Sequence, residues 1–311
     1  MIPSVGALSG RDFLDVADLD AAELRELLDL AHAIKAGRRT GRPLEGQHIA
    51  LLFQKPSHRT RVSFEVGIGR LGGRATSLSE HDVQLGVRET VGDAARVLDS
   101  YVDGVVARLR SHRDLLELAA TSEKPVINAL TNRSHPCQIL ADLMTLEEVC
   151  GPLPGQKLVY IGDGNNIAVS LIEASELMGF SLTVITPPGY APPAGIVDGN
   201  LKAERGGSGV TLSSDVADAA RATAIYTDVW ASMGQESERE VRRKTFAGYQ
   251  VNQALMDAAP GAVFMHCLPA HRGEEVTDEV IDGPRSVVFQ QAANRLYAQM
   301  ALMSKLFGAA S

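Results

Sequence analysis

"HIALLFQKPSHRTRVSFEVGIGR", residues 48–70, decides the fold. Its first six residues, His48 to Phe53, make a short apolar run with no polar face. A strand of that kind is buried on both sides, as in a parallel sheet covered by helices. Ser57 supplies an N-cap, and Val62, Phe64, Val66 and Ile68 give the following helix its apolar residues. Strand, turn and helix form half of a βαβ unit. The turn breaks a local rule. A helix start presents free N–H groups and the positive end of the helix dipole, so acidic residues are expected there. Arg59 and Arg61 stand there instead. Local rules often fail at sites. A bound phosphate resolves the conflict, because helix N–H groups, the Ser57 and Thr60 hydroxyls and a guanidinium fork all suit a dianion. A solvated arginine pair beside an ordinary serine cap is the plainer alternative.

The same alternation continues along the chain. Apolar runs predict strands at 48–53, 74–78, 104–107, 125–128, 157–161, 181–186, 209–212, 224–227 and 262–266. Helices are expected between them, including 136–149, 166–178 and 290–307. A first helix opens with Asp20 and Glu23 as a capping box and runs through Leu24, Leu27, Leu28, Leu30 and Ala31. This is too many strands for one compact sheet, so two doubly wound parallel-sheet α/β domains are expected. Residues 1–148 form the first, with a C-terminal helix, 291–311, crossing back to it; residues 149–290 form the second. The seam lies near GPLPGQK, 151–157, where Pro and Gly cluster before a fresh strand. PPGYAPPAGIVDG, 187–199, reads as a loop, and the polar segment 232–250 as a mobile loop.

Composition narrows the function. The 311 residues are 45% hydrophobic and 22% charged, which describes a soluble globular chain. Thirty basic residues against 38 acidic ones leave a net charge of -8, a poor balance for binding nucleic acid or an anionic membrane. No run reaches the ~18 apolar residues that span a bilayer. Three cysteines, Cys137, Cys150 and Cys267, without metal-site spacing point to a reducing compartment, and the N-terminus lacks a signal peptide's pattern. A cytoplasmic location is expected.

In open α/β sheets, ligands bind beyond the carboxyl ends of the strands. There the suggestive residues gather: Ser57, Arg59, Thr60 and Arg61; Arg108; His135, Pro136 and Gln138; Asn165 and Asn166; Asp228 with Ser232, Met233 and Gly234; and His266, Cys267, Leu268 and Pro269. GDGNN, 162–166, follows a strand but lacks the three-glycine dinucleotide spacing, so a turn with Asn165 as helix cap is the simpler reading. The histidines and cysteines form no metal-ligand pattern. Cys267 has His271 four residues on, but no nucleophile–base–acid triad is evident. What remains is a set of hydrogen-bond donors suited to an anionic, carbonyl-containing ligand, and hence to group transfer by positioning and electrostatics.

Ser57-His58-Arg59-Thr60-Arg61, His135-Pro136-Cys137-Gln138, Asp228 to Gly234 and His266-Cys267-Leu268-Pro269 together resemble the ornithine carbamoyltransferase family, in order and nearly end to end. The first two motifs are common to carbamoyltransferases; the SMG and HCLP motifs point to ornithine as the acceptor. The resemblance implies transfer of the carbamoyl group of carbamoyl phosphate to the δ-amine of L-ornithine, giving citrulline and phosphate, with no cofactor and no metal. It implies that Ser57, His58, Arg59, Thr60, Gln84, Arg108, His135, Gln138 and Arg295 meet carbamoyl phosphate, Gln84 reaching a neighbouring subunit's site. It implies that Asn166, Asp228, Ser232, Met233, Cys267 and Leu268 meet ornithine, and that Arg108, His135, Asp228 and Cys267 serve the chemistry. A homotrimer is implied, further assembly being left open, and so is a place in arginine metabolism whose direction is also left open. His58 departs from the family pattern, which carries Thr; its backbone N–H remains, and its ring is expected to face solvent. A carbamoyltransferase for putrescine or an acylated ornithine, and a nucleotide-dependent Rossmann-type enzyme, are the alternatives.

Overall fold

The computed structural model describes residues 8–39, 41–82, 84–196, 209–231 and 236–308. They form two compact units. One comprises the residues up to Ala141 together with those from Arg295 onward; the other runs from Asp142 to Asn294. Each holds an all-parallel sheet flanked by helices.

The first unit is ordered α1 (Ala21–Lys35), β1 (His48–Phe53), α2 (His58–Arg70), β2 (Arg74–Ser79), α3 (Val91–Asp99), β3 (Gly104–Arg108), α4 (His112–Thr121) and β4 (Val126–Leu130). Its strand order is β2-β1-β3-β4. β1 and β3 are interior and buried almost throughout, as their unbroken apolar runs require. β2 is an edge strand whose Arg74, Thr76 and Ser79 are exposed. The expected capping box forms: Glu23 N–H donates to Asp20 Oδ1 at 2.8 Å and Asp20 N–H to Glu23 Oε2 at 2.9 Å. α2 buries Thr60, Phe64, Gly67 and Ile68, a helical stripe. Val62 and Val66 face outward, at 49% and 40% exposure, because a helix cannot turn residues two apart to one side.

α5 (Pro136–Cys150) begins in the first unit and ends in the second. The second unit continues with β5 (Lys157–Ile161), α6 (Asn166–Met178), β6 (Ser181–Ile185), β7 (Gly209–Ser213), β8 (Ala224–Thr227), α7 (Arg239–Thr245), α8 (Gln253–Ala258), β9 (Val263–His266) and α9 (Asp278–Ile281). Its strand order is β7-β6-β5-β8-β9. The order reverses beside β5, which places the loops after β5 and β8 at the switch point where α/β sheets take ligands. The segment expected to be a mobile loop, 232–250, is helical where described, with α7 between 3-10 turns at Glu236–Glu238 and Ala247–Tyr249. Its polarity hides tertiary anchors: Phe246 is fully buried and stacks on Trp230.

α10 (Val288–Leu306) starts in the second unit and, from Arg295, belongs to the first. Within the first unit its end lies close against the sheet. A Cβ on Gly104 of β3 would meet the Phe307 ring at 2.3 Å, so only glycine admits the ring there. A Cβ on Gly67 of α2 would sit 3.0 Å from Met303 and 3.3 Å from Met300.

Candidate active site

In the first unit the site residues leave adjacent strands at one edge of the sheet. Phe53, the last residue of β1, pairs in register with Arg108, the last of β3. Gln54 ties the two exits together: its N–H donates to the Arg108 carbonyl at 2.9 Å and its Oε1 accepts from Arg110 N–H at 3.0 Å. Ser57 caps α2, accepting from Thr60 N–H at 3.3 Å. Arg295, carried in by α10, donates from Nη2 to Thr60 Oγ1 at 3.1 Å. Thr60, Arg108, His135, Gln138 and Arg295 are all buried. Burial, followed by the nearby charges of Arg295 and Arg108, holds His135 well below the usual imidazole pKa. The ring is therefore neutral and donates through one N–H.

Two guanidinium groups and a neutral imidazole thus lie buried near one another, with Arg295 reaching the first turn of α2. Gathering cations out of water costs energy that an anion offsets. The opening conflict is divided between the two arginines. Arg61 is exposed and approaches Glu65, one turn on, at 3.7 Å. Arg59 is half-buried in the turn itself. His58 is exposed. Gln84 is also exposed, in the segment between β2 and α3.

In the second unit, Asp228 leaves β8 and is buried. Its Oδ2 accepts from Asn165 Nδ2 at 2.8 Å, and its Oδ1 accepts from the Cys267 thiol at 3.1 Å. Asn165 also caps α6, its Oδ1 accepting from Ile167 N–H at 2.9 Å. The cap expected from sequence thus does double duty, and Asn165, one residue before Asn166, is the amide that reaches Asp228. Tyr160, whose phenol burial keeps protonated, donates to the Asp163 carbonyl at 2.9 Å and lies 3.2 Å from Asn165 Oδ1. Ser232 and Met233 lie outside the described residues.

Leu268 has φ 57°, a left-handed conformation costing a leucine about 1–2 kcal/mol. Its N–H donates to His266 Nδ1 at 2.8 Å. Nδ1 is thus the acceptor, so Nε2 carries the proton toward Glu275 Oε1, 3.3 Å away. The His266 N–H donates to Gln291 Oε1 at 3.0 Å, and Gln291 Nε2 donates to Asp142 Oδ1 at 2.7 Å. This buried chain fixes the turn that presents Cys267 and Leu268. With both ring nitrogens engaged, His266 offers no ligand to a metal beside Asp228 and Cys267. His271, the alternative partner for Cys267, instead gives its N–H to Glu275 and lies 3.7 Å from Glu274.

Arg242 has no local sequence signal. Buried on α7, it donates to Asp163 Oδ2 at 2.7 Å, to the Trp230 carbonyl at 2.9 Å and to Glu238 at 2.9 Å, and it lies 5.1 Å from the centre of the Tyr190 ring. It therefore joins the loop carrying Asn165 to the loop carrying Asp228. Gly164, in the first of these loops, lies close against the chain that follows β6, since a Cβ there would lie 2.3 Å from Pro192 N.

Comparison with known proteins agrees along nearly the full length of the chain. Residues 11–148 match the carbamoyl-P binding domain of aspartate/ornithine carbamoyltransferases, and residues 154–306 match their Asp/Orn binding domain. An ornithine carbamoyltransferase of Symbiobacterium thermophilum is 52% identical over 303 residues, covering 96% of this chain and 98% of that protein. One from Thermococcus kodakarensis is 51% identical, covering 98% of each. The solved ornithine carbamoyltransferase of Pyrococcus furiosus superposes with a TM-score of 0.91 at 49% identity, covering 98% of this chain and 99% of that one. That of Thermus thermophilus gives 0.85 at 44%, covering 94% and 97%.

Proposed function

We propose, from the premise that this chain belongs to the aspartate/ornithine carbamoyltransferase family, that it transfers the carbamoyl group of carbamoyl phosphate to the δ-amine of L-ornithine, giving L-citrulline and phosphate. The observation that carries the reading is the buried cationic pocket of the first unit, with His135 neutral beside Arg108 and Arg295. In this reading Ser57, Arg59, Thr60 and Arg295 hold the phosphate. Arg108, His135 and Gln138 direct hydrogen bonds at the carbamoyl oxygen. The amine's lone pair forms the new C–N bond, charge builds on that oxygen, and these donors meet it. The C–O bond to phosphate then breaks, and the leaving charge is already matched by guanidinium groups, so the step needs no metal.

Ornithine's δ-amine resembles that of lysine, with a pKa near ~10.4, and must shed a proton before it attacks. The Asp228 carboxylate, with the Cys267 thiol donating to it, is the group assigned to that task. Asn166, Ser232, Met233 and Leu268 complete the ornithine contacts. The two units divide the chemistry: the first takes carbamoyl phosphate and the second ornithine. The active form is a homotrimer in which Gln84 enters a neighbour's site. Val62 and Val66 on α2, and Val87 just after Gln84, are exposed apolar residues that burial in such an assembly would cover. The place of action is the cytoplasm, in arginine biosynthesis; no helix among the described residues is long and apolar enough to cross a membrane.

A citrulline-formation assay with a panel of amines tests the reading. Ornithine is expected to give the highest kcat/KM. Preference for putrescine or an acylated ornithine would move the chain to another carbamoyl acceptor, and no carbamoyl transfer at all would overturn it.

A further inference from the structure

Arg108 and His135 leave neighbouring strands of the first unit, and both must face one carbonyl oxygen. Their spacing depends on two short connections, Leu109 to Ser111 after β3 and Thr131 to Ser134 after β4. Backbone bonds join them at two points: Leu109 N–H donates to the Leu130 carbonyl at 3.0 Å and Asn132 N–H to the Arg110 carbonyl at 3.2 Å. The register of the two strands also shifts at this point, between Ala107 and Arg108.

His112 adds side-chain ties between the two connections. It opens α4, directly after the first connection, and it is buried. Its N–H donates to Asn132 Oδ1 at 2.9 Å, and its Nδ1 lies 3.0 Å from Thr131 Oγ1. Its Nε2 lies 3.4 Å from Asp15 Oδ2. A carboxylate only accepts, so in the neutral ring Nε2 carries the proton, and Nδ1 is left to accept from the Thr131 hydroxyl. That hydroxyl in turn lies 3.4 Å from the N–H groups of Arg133 and Ser134, the two residues before His135. Asp15 is charged: burial pushes its carboxyl up, but the nearby His112 ring and Ser134 hydroxyl, with Arg133 beyond, bring it below the usual range. Asn128 secures the other side, its Nδ2 donating to the Leu14 carbonyl at 2.7 Å and to Ser134 Oγ at 2.9 Å.

We propose that His112 is a positioning residue, clamping the two strand exits so that Arg108 and His135 address the same oxygen, and that Asp15 selects the tautomer that makes the clamp. The proposal rests on the carbonyl-polarising roles given to Arg108 and His135 above. Neither His112 nor Asp15 touches the substrate. Their effect belongs in kcat, because misplacing catalytic groups by ~1 Å costs up to about 10²-fold in rate.

Two substitutions separate the clamp from mere packing. His112→Asn keeps an amide oxygen near the place of Nδ1, where Thr131 can donate to it. His112→Gln reaches toward Asp15 and abandons Thr131. In the full chain, with citrulline formation as the assay, His112→Gln is expected to lose about tenfold or more in kcat. His112→Asn is expected to stay within about threefold of the parent. Inorganic phosphate, titrated calorimetrically, should bind both variants as it binds the parent, since the Ser57 turn is untouched. Equal kcat values for the two variants would overturn the clamp, as would kcat losses that merely follow lost phosphate affinity. Should His112→Gln fail to fold, Asp15→Ala carries the test, since it frees the ring and also releases the Ser134 and Arg133 contacts of the second exit; an unchanged kcat there overturns the proposal. His135→Asn is the control for the underlying reading. Retained activity in that variant would remove His135 from the chemistry, whereas its collapse beside an unaffected His112→Gln would sink the clamp alone.

Discussion

Replacing Arg242 by alanine asks whether one buried cation holds the amino-acid side of the site together. The side chain is 8% exposed and makes three hydrogen bonds of unequal worth. The bond to Glu238 involves a carboxylate that is 58% exposed, so it contributes ~0–1 kcal/mol. The bond to the Trp230 carbonyl is charge-assisted and buried, worth about 1.5–3 kcal/mol. The pair with Asp163 matters most, because that carboxylate is 14% exposed and truncation leaves it dry and unmatched, at a cost of about 3–5 kcal/mol. These terms overlap, and roughly 4 kcal/mol is a reasonable total. The pH dependence gives the sharper test. Burial already holds the Asp163 pKa above its usual value while Arg242 opposes it, so removing Arg242 raises it further. A raised carboxyl binds protons more tightly folded than unfolded. Its stabilising share is full below the unfolded value of about 3.9 and is lost as pH rises through the folded one. Denaturation midpoints at pH 5 and pH 8 should therefore show a larger deficit at pH 8, and Asp163→Asn in the same chain should recover most of it. The KM for ornithine should rise while that for carbamoyl phosphate holds, since every partner named here belongs to the second unit. A deficit under about 1 kcal/mol, one independent of pH, or equal losses for both substrates would refute the reasoning.

Arg59→Ala should abolish most turnover while the fold survives, and phosphate should no longer raise the melting temperature; near-normal turnover and carbamoyl phosphate KM would take Arg59 out of the phosphate site. Asp228→Asn keeps the shape and the reach to Asn165 but removes the charge, so ornithine use should fall steeply while a direct titration shows carbamoyl phosphate binding little changed. Burial, set against the nearby charge of Arg295, pushes the Cys137 thiol up to about 12; mass spectrometry after alkylation at pH 8 should find it unmodified in the native protein and labelled after unfolding. Mixing inactive Gln84→Ala and Arg108→Ala chains should restore some activity through hybrid trimers, and hybrids that demonstrably form yet stay inactive would contradict a shared site.

The strands were legible because a buried parallel strand has no choice of residue: runs such as His48–Phe53 and Lys157–Ile161 are apolar on both faces, and their ends fall within a residue or two of expectation. The Asp20–Glu23 box was legible because a cap is a local arrangement. The 236–249 segment was not. Its helices are short, below the length at which periodicity speaks, and they are held by contacts distant in sequence, Arg242 to Asp163 and Phe246 to Trp230. The two positions of the site with the least local signal, His112 and Arg242, share that character. Each is a charged or titratable residue on an ordinary-looking helix, distinguished only by what the fold lays against it.

The Arg59–Arg61 turn shows where local reasoning stops and site reasoning begins. The dipole rule treats both arginines as equally misplaced. The structure separates them by burial: Arg61 is exposed and reaches Glu65 one turn later, and Arg59 is half-buried in the turn next to Thr60, which receives Arg295. A second cation directed at that turn deepens the conflict instead of relieving it. The Leu268 backbone and the Asp163–Arg242 pair are departures of the same kind, costly on their own and held in place by well-bonded neighbours. The Arg59 turn and Leu268 lie beyond the carboxyl ends of strands, and in the first unit a ligand of opposite charge can return what the buried cations cost. Stability spent in this way is recovered on binding, so such a site is expected to gain rigidity as its substrates arrive.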